Sequence, residues 1–186
     1  MDLVRRMKMG SVVKCVALYA RPFWRERGTS GHFWTNRGPV SFGYDTGTPA
    51  GSYGKLTAFA VARGAEALAK LDAGERKRVV LAELVRFFGA EAASPVAYRD
   101  VVWTDEEWSG GGYTAHTPPG SLADGDACLR EPLGVLSWAG TETSTEWAGY
   151  MEGAVESAER AAREVDARLR EARPSARSMA TAESPL

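Results

Sequence analysis

The sequence predicts an α+β fold, and three observations predict it. A β-branched run opens the chain, Gly/Pro-punctuated short apolar runs follow it, and helical periodicity dominates two later stretches. The opening run, Ser11–Tyr19, carries Val12, Lys14, Val16 and Leu18 on one strand face, so a lysine is expected among inward-looking apolar residues. From His32 to Ala62 three further strands are predicted, His32–Thr35, Val40–Tyr44 and Leu56–Val61, separated by turn residues. Helices are predicted over Arg63–Lys70 and Glu75–Phe88, the second with a face of Val79, Val80, Leu84, Phe87 and Phe88.

Pro95 to Trp103 reads as strand again, and the Gly/Pro-rich stretch from Trp108 to Ala127 as loop. Gly134–Ala139 is expected to be a short buried strand ending in Gly140-Thr-Glu-Thr. A long helix follows from about Trp147 to Arg173, with Met151, Ala154, Val155, Ala158, Ala161, Ala162, Val165 and Leu169 as its apolar stripe and Pro174 as its stop. The Ser/Ala/Thr-rich tail, 174–186, reads as disordered.

Composition excludes several classes of function. With 23 Lys and Arg against 24 Asp and Glu, the net charge of −1 supplies no general field for nucleic acid or an anionic membrane. No apolar run approaches the roughly 20 residues a spanning helix needs, and the start does not resemble a signal peptide. Cys15 and Cys128 make neither a disulfide framework nor a four-ligand zinc site. These features read as a soluble, cytoplasmic protein.

Three tempting motifs fail. Gly110-x-Gly112-x-x-Ala115 lacks a preceding strand, and Pro118-Pro119 forbids the helix that a dinucleotide fingerprint requires. Gly54-Lys55 has neither the leading glycine nor the Ser/Thr of a P-loop. His32 and His116 have no carboxylate spacing that suggests a metal.

The segment from Gly134 to Val165 differs. A strand, a glycine turn and a helix N-terminus would leave several backbone N–H groups free beside the positive end of a helix dipole. Gly149 and Gly153 cost helix stability. Either a flat ligand approaches closely there, or the helix packs tightly against a neighbour.

The run Ala139-Gly-Thr-Glu-Thr, with Trp147-x-Gly-Tyr-Met-Glu-Gly-Ala-Val-Glu and Arg160-Ala-Ala behind it, resembles the C-terminal flavin-contacting segment of the FAD-dependent monoamine oxidase family. Gly10-Ser-Val-Val-Lys-Cys with Pro22-Phe-Trp resembles that family's lysine-bearing strand. Trp103, Trp108-Ser-Gly-Gly-Gly-Tyr-Thr and Pro118-Pro119-Gly120 resemble its active-site loop. The three motifs stand in family order and cover about residues 3 to 171.

The resemblance implies the later part of a mixed-sheet substrate domain, residues 1–105, followed at 106–173 by the last strand and long helix of a Rossmann-like FAD-binding domain. It implies that Tyr113 and Tyr150 are the two rings between which the substrate amine passes, and that Lys14 holds a water near flavin N5. Trp103 walls the flavin region. Gly140, Thr141 and Glu142 meet the ribityl and phosphate portion, and the backbone N–H of Met151 approaches the ring carbonyl. For Lys14 and Glu142 the residues alone also allow a snorkelling lysine and a capping carboxylate. The implied reaction oxidises a C–N bond, passing a hydride equivalent to FAD. The imine hydrolyses to aldehyde and ammonia, and O2 takes the electrons to give H2O2.

Two departures bear on this. Gly112 stands where animal members carry a flavin-linking cysteine, so FAD is expected to bind non-covalently. Nothing in the 186 residues supplies the family's Gly-x-Gly-x-x-Gly unit for the ADP half. The chain is therefore expected to be the C-terminal portion of an amine oxidase and inactive alone, with a missing FAD-binding half or a homo-oligomer as its partner. The other readings are a non-catalytic remnant or interaction module, and one half of a split oxidase.

Overall fold

A computed structural model describes residues 5–120 and 129–172. Cys128, Pro174 and the tail lie outside them. The chain divides into two compact units, one of Lys8–His116 and one that joins the residues up to Met7 to those from Thr117 onward.

The first unit is built on a five-stranded sheet. Its strands are β2 (Val12–Tyr19), β3 (Phe33–Trp34), β4 (Phe42–Asp45), β5 (Gly54–Val61) and β6 (Ala97–Val102), in the order β3-β4-β5-β2-β6. A separate two-stranded ribbon pairs β1 (Lys8–Met9) with β7 (Ala115–His116). Every pairing among these strands is antiparallel, where a mixed sheet was expected. The loop of 46–53 between β4 and β5 is too short for the crossover that parallel neighbours need.

Helices α1 (Phe23–Glu26), α2 (Arg63–Ala69) and α3 (Ala73–Phe88) complete the unit. Asp72 caps α3, its side chain accepting from the Glu75 N–H at 2.9 Å. Gly89, with φ +85°, follows the last turn of α3. The core joins Val13, Cys15, Ala17 and Tyr19 of β2 to Leu56, Ala58 and Ala60 of β5 and to Leu68, Val80, Leu84 and Phe88 of the helices. Trp24 is buried among them, and the Tyr19 hydroxyl donates to the Ala92 carbonyl at 2.9 Å.

This corrects the strand-face expectation for Lys14. The core face of β2 is Val13–Cys15–Ala17–Tyr19, and Lys14 is exposed on the other face. Both faces of this strand carry apolar residues, so alternation alone does not say which one a helix covers.

In the second unit a 3-10 turn, Thr141–Thr143, precedes helix α4 (Met151–Ala172). Two expectations change here. Gly134–Ala139 is no buried strand: Leu133 and Leu136 form a single bridge, and Val135 is 94% exposed. An apolar run becomes a buried strand only where a sheet receives it, and none of the described strands pairs with it. Of the expected apolar stripe of α4 only Ala161 is buried, and its large members Met151, Val155, Val165 and Leu169 are exposed. Gly153, Ser157 and Ala161 are the buried residues of the helix, one turn apart. No helix among the described residues is long and apolar enough to cross a membrane.

Candidate functional site

Strand alternation on β2, β4 and β5 gathers the first group of candidate residues. Lys14 pairs with Phe59, and Phe59 pairs on its other side with Phe42, so all three share the face away from the helices. The Lys14 ammonium stands 5.8 Å from the centre of the Phe59 ring. Tyr113 meets the same ring from the loop, centroid to centroid 6.1 Å. Burial raises the pKa of the Tyr113 hydroxyl, and the neighbouring Tyr44 adds to the rise.

The loop is held by backbone bonds. Gly112 N–H donates to the Gly10 carbonyl at 2.8 Å, and Gly10 N–H to the Thr114 carbonyl at 3.1 Å. A Cβ on Gly10 would run into the Gly112 carbonyl, so this crossing needs glycine. A Cβ built at Gly112 would lie 3.9 Å from the Trp103 side chain. Trp103 begins a 3-10 turn directly after β6 and remains partly open. Lys14 and Tyr113 thus meet at Phe59, and Trp103 sits beside Gly112.

Sequence reasoning missed the row of rings next to them. Trp34 stacks on Phe42 at 5.0 Å and 14°, and Phe42 stacks on Phe59 at 5.1 Å and 24°. Tyr44 leans on both Phe42 and Phe59. The signal that could have found it is Phe42 and Tyr44 two apart on one short strand.

The second unit holds the remaining candidates. Gly140, at φ +150°, starts the turn, and its N–H donates to Ser157 Oγ at 2.9 Å. The Thr141 hydroxyl donates to the Tyr150 carbonyl at 2.8 Å, and that of Thr143 to the Gly140 carbonyl at 2.8 Å. Arg160 reaches back from α4 to the Trp138 carbonyl at 2.9 Å and to Thr143 Oγ1 at 3.0 Å. The turn is therefore fastened to the helix, with Glu142 in its middle. Tyr150 is exposed and stands edge-on to Trp147 at 6.2 Å, and Met151 is exposed at the helix start.

Of the two explanations for Gly153, the geometry shows the packing one. A Cβ there would strike the Trp147 carbonyl, so the helix closes on its own preceding loop. Glu156 completes that closure. Its carboxylate accepts from Ser144 and Thr145, and these bonds pull its pKa down to about 2. Among the described residues no group of His, Cys, Asp and Glu could hold a metal ion.

Each unit by itself offers groups suited to the ring end of a flavin more than to its nucleotide end. In the first unit Trp103 and Tyr113 offer exposed aromatic surface; in the second, taken by itself, Tyr150 does so and the first turn of α4 offers backbone N–H donors. Among the described residues no glycine-rich turn joins a strand to a helix in the way that cradles a pyrophosphate.

The comparisons with known proteins agree with one another. Residues 1–166 match the family model described as flavin containing amine oxidoreductase. The flavin-containing amine oxidase of Danio rerio is 45% identical over 167 residues, 88% of this chain and 32% of that protein. Amine oxidase B of Homo sapiens is 40% identical over the same share. Among solved structures, putrescine oxidase bound to putrescine superposes with a TM-score of 0.84 at 34% identity, covering 90% of this chain and 37% of that one. Cyclohexylamine oxidase from Brevibacterium oxydans gives 0.85 at 36%, covering 91% and 38%. The chain spans about a third of the length of the curated relatives it matches.

Proposed function

The chain belongs to the flavin containing amine oxidoreductase family, and from that premise we propose that it supplies the substrate-facing sheet and the last flavin-facing turn and helix of an oxidase that deaminates amines. The observation that carries this reading is the meeting of Lys14 and Tyr113 at Phe59, beside a loop whose Gly112 lies against Trp103. An open phenol on the loop, facing a ring and a water-holding lysine on neighbouring strands, suits an amine whose nitrogen must be oriented and shielded from water.

FAD, when bound, supplies the electron acceptor, and O2 reoxidises it to give H2O2. The residues of this chain do the rest. Tyr113 orients the amine, and in the same proposal Tyr150 offers a second ring from its own unit. Lys14, exposed on the sheet, holds a water by its ammonium. With FAD bound, Trp103 would wall the ring region, Gly140, Thr141 and Glu142 would meet the ribityl and phosphate portion, and the Met151 N–H would serve a ring carbonyl. Gly112 brings no thiol to the loop, so the flavin is held without a covalent bond.

The nucleotide half of FAD needs a Gly-x-Gly-x-x-Gly cradle, a pattern the sequence does not contain, and the relatives are about three times as long. The proposal therefore includes the remaining part of an oxidase as partner, and weak FAD binding by this chain alone. The exposed apolar side chains of α4, Met151, Val155, Val165 and Leu169, favour such a partner.

The test titrates FAD into the purified chain and into a fusion that places it behind the N-terminal two thirds of the Danio rerio relative. Flavin absorbance and amine-dependent H2O2 are read in both. Peroxide is expected from the fusion alone, and Tyr113→Ala or Tyr150→Ala should lower its kcat/KM about tenfold or more with flavin still bound. A fusion that binds flavin yet makes no peroxide supports the non-catalytic module instead. Stoichiometric flavin and turnover from the chain alone would overturn the need for a partner.

A further inference from the structure

β6 is the edge of its sheet, and among the described strands it pairs with β2 alone. Its core side carries Tyr98, Asp100 and Val102, and its open side Ala97, Arg99 and Val101. Each side therefore holds one charge, and Val102 is the single buried apolar residue of the strand. Such a strand has too little apolar contrast to fix its own register. A slide of two residues keeps every side chain on its side and moves the strand by roughly 7 Å.

What such a slide would break is polar. The Asp100 carboxylate accepts from Arg76 of α3 at 3.0 Å and from the Tyr98 hydroxyl at 3.0 Å. Arg76 is held in turn, donating to the Leu71 carbonyl at 2.9 Å. Both charged side chains are largely buried, Asp100 at 8% exposure and Arg76 at 12%. After a slide of two residues Asp100 would face buried Val13 or Ala17 instead of Cys15. It would leave Arg76 behind, and a buried carboxylate without its cation is costly.

The register also places the site. Trp103 follows β6 directly, after Val102, which pairs with Val13 next to Lys14. The Trp103 side chain lies 3.9 Å from a Cβ built at Gly112, the residue before Tyr113. A slide of β6 along β2 would carry the indole off that contact. We propose that Asp100 is a positioning residue for the amine-oxidase site, its bridge to Arg76 fixing the register of β6 and so the place of Trp103 against Gly112. The inference rests on the amine-oxidase reading above, in which Trp103 would wall the flavin ring region, and it deepens that reading. Asp100 acts through its strand. A buried ion pair adds little net stability over well-packed apolar residues, but it discriminates strongly between registers.

The experiment separates register from stability in the full 186-residue chain. Asp100→Leu and Arg76→Met are made singly and together, with Asp100→Asn beside them. Urea unfolding reads stability, and NMR reads the Trp103 indole signal and the contacts between Lys14 and Val101. The indole is assigned by the signal lost in Trp103→Phe. Each single apolar variant should unfold at lower urea, because one buried charge has lost its partner. The double variant should recover most of that loss. It should nevertheless show a second or displaced Trp103 signal, with Lys14–Val101 contacts at about half the parent's strength or less. Asp100→Asn should keep the parent's single indole signal, since its amide oxygen can accept from Arg76 and its NH2 can donate to the Tyr98 oxygen. A stable double variant with the parent's indole signal and contacts would overturn the proposal. So would a double variant no more stable than the singles, because the pair would then hold the fold rather than the register. None of these readouts needs flavin. Failure of the fusion to bind flavin would count against the oxidase reading, whereas an unmoved Trp103 would count against this one.

Discussion

Lys14 lies directly opposite Phe59 in the β2–β5 pairing, and its ammonium stands 5.8 Å from the centre of that ring. The lysine is thus on the open side of a central strand, with no burial cost to repay. Lys14→Met should change the unfolding free energy by no more than about 0.5 kcal/mol, as for other exposed positions. Urea unfolding checks it. A loss above about 2 kcal/mol would mean that the ammonium is held by the core after all.

Gly153 should resist replacement by alanine. In an open helix the change would gain up to about 1 kcal/mol. Here the new methyl meets the Trp147 carbonyl, which is backbone and cannot turn aside. A net loss of about 1–3 kcal/mol is expected, the usual cost of overpacking. Hydrogen exchange across 141–157 should report faster opening, and unchanged protection would refute the close contact.

Asp45 ties β4 to α1. Its carboxylate accepts from the indole N–H of buried Trp24 at 2.7 Å, from Arg25 at 2.9 Å and from the Gly47 N–H at 2.8 Å. Burial by itself raises the carboxyl pKa, but these donors and the Arg25 charge outweigh it and hold the pKa below the usual value. The folded value lies under the unfolded one, so the contribution is complete above about pH 4. It fades as pH falls further, through the folded value. Asp45→Ala should cost about 1–3 kcal/mol at pH 7, because the Trp24 donor is left unpaired. The difference from the parent should shrink in unfolding curves taken near pH 3.

Cys15 should be unreactive in the folded chain. It is 2% exposed, and burial pushes its thiol up to about 12. At pH 8 iodoacetamide should label the Cys15 peptide only after denaturant is added, which mass spectrometry can follow. Rapid labelling without denaturant would show that β2 opens readily.

Flavin bound by a completed protein should leave it on acid precipitation, because Gly112 offers no sulfur at the loop. Yellow colour that stays in the washed pellet would contradict the proposed attachment.

Most of the element order was legible before any coordinates. Val12–Tyr19 has the β-branched and aromatic residues of a strand, and the helix predicted over Glu75–Phe88 is α3, which begins two residues earlier. The glycine turn before α4 was equally plain from Gly140-Thr-Glu-Thr, and the structure gives Gly140 a φ of +150°, a backbone that other residues rarely adopt. The ring row was less legible, because Trp34, Phe42 and Phe59 belong to three separate strands and meet only through register.

By itself the sequence determined where the longer strands and helices run, that Lys14, Tyr113 and the 140–143 turn belong to one family pattern, and that no thiol stands at Gly112. Those properties depend on local backbone preference and residue order. Only the tertiary structure decided which side of β2 is core, that the large apolar residues of α4 and the run at Gly134–Ala139 stay exposed, and that Gly153 serves a contact within its own unit. Periodicity says that a face is apolar, but burial requires a neighbour, and a neighbour is a property of the assembled chain.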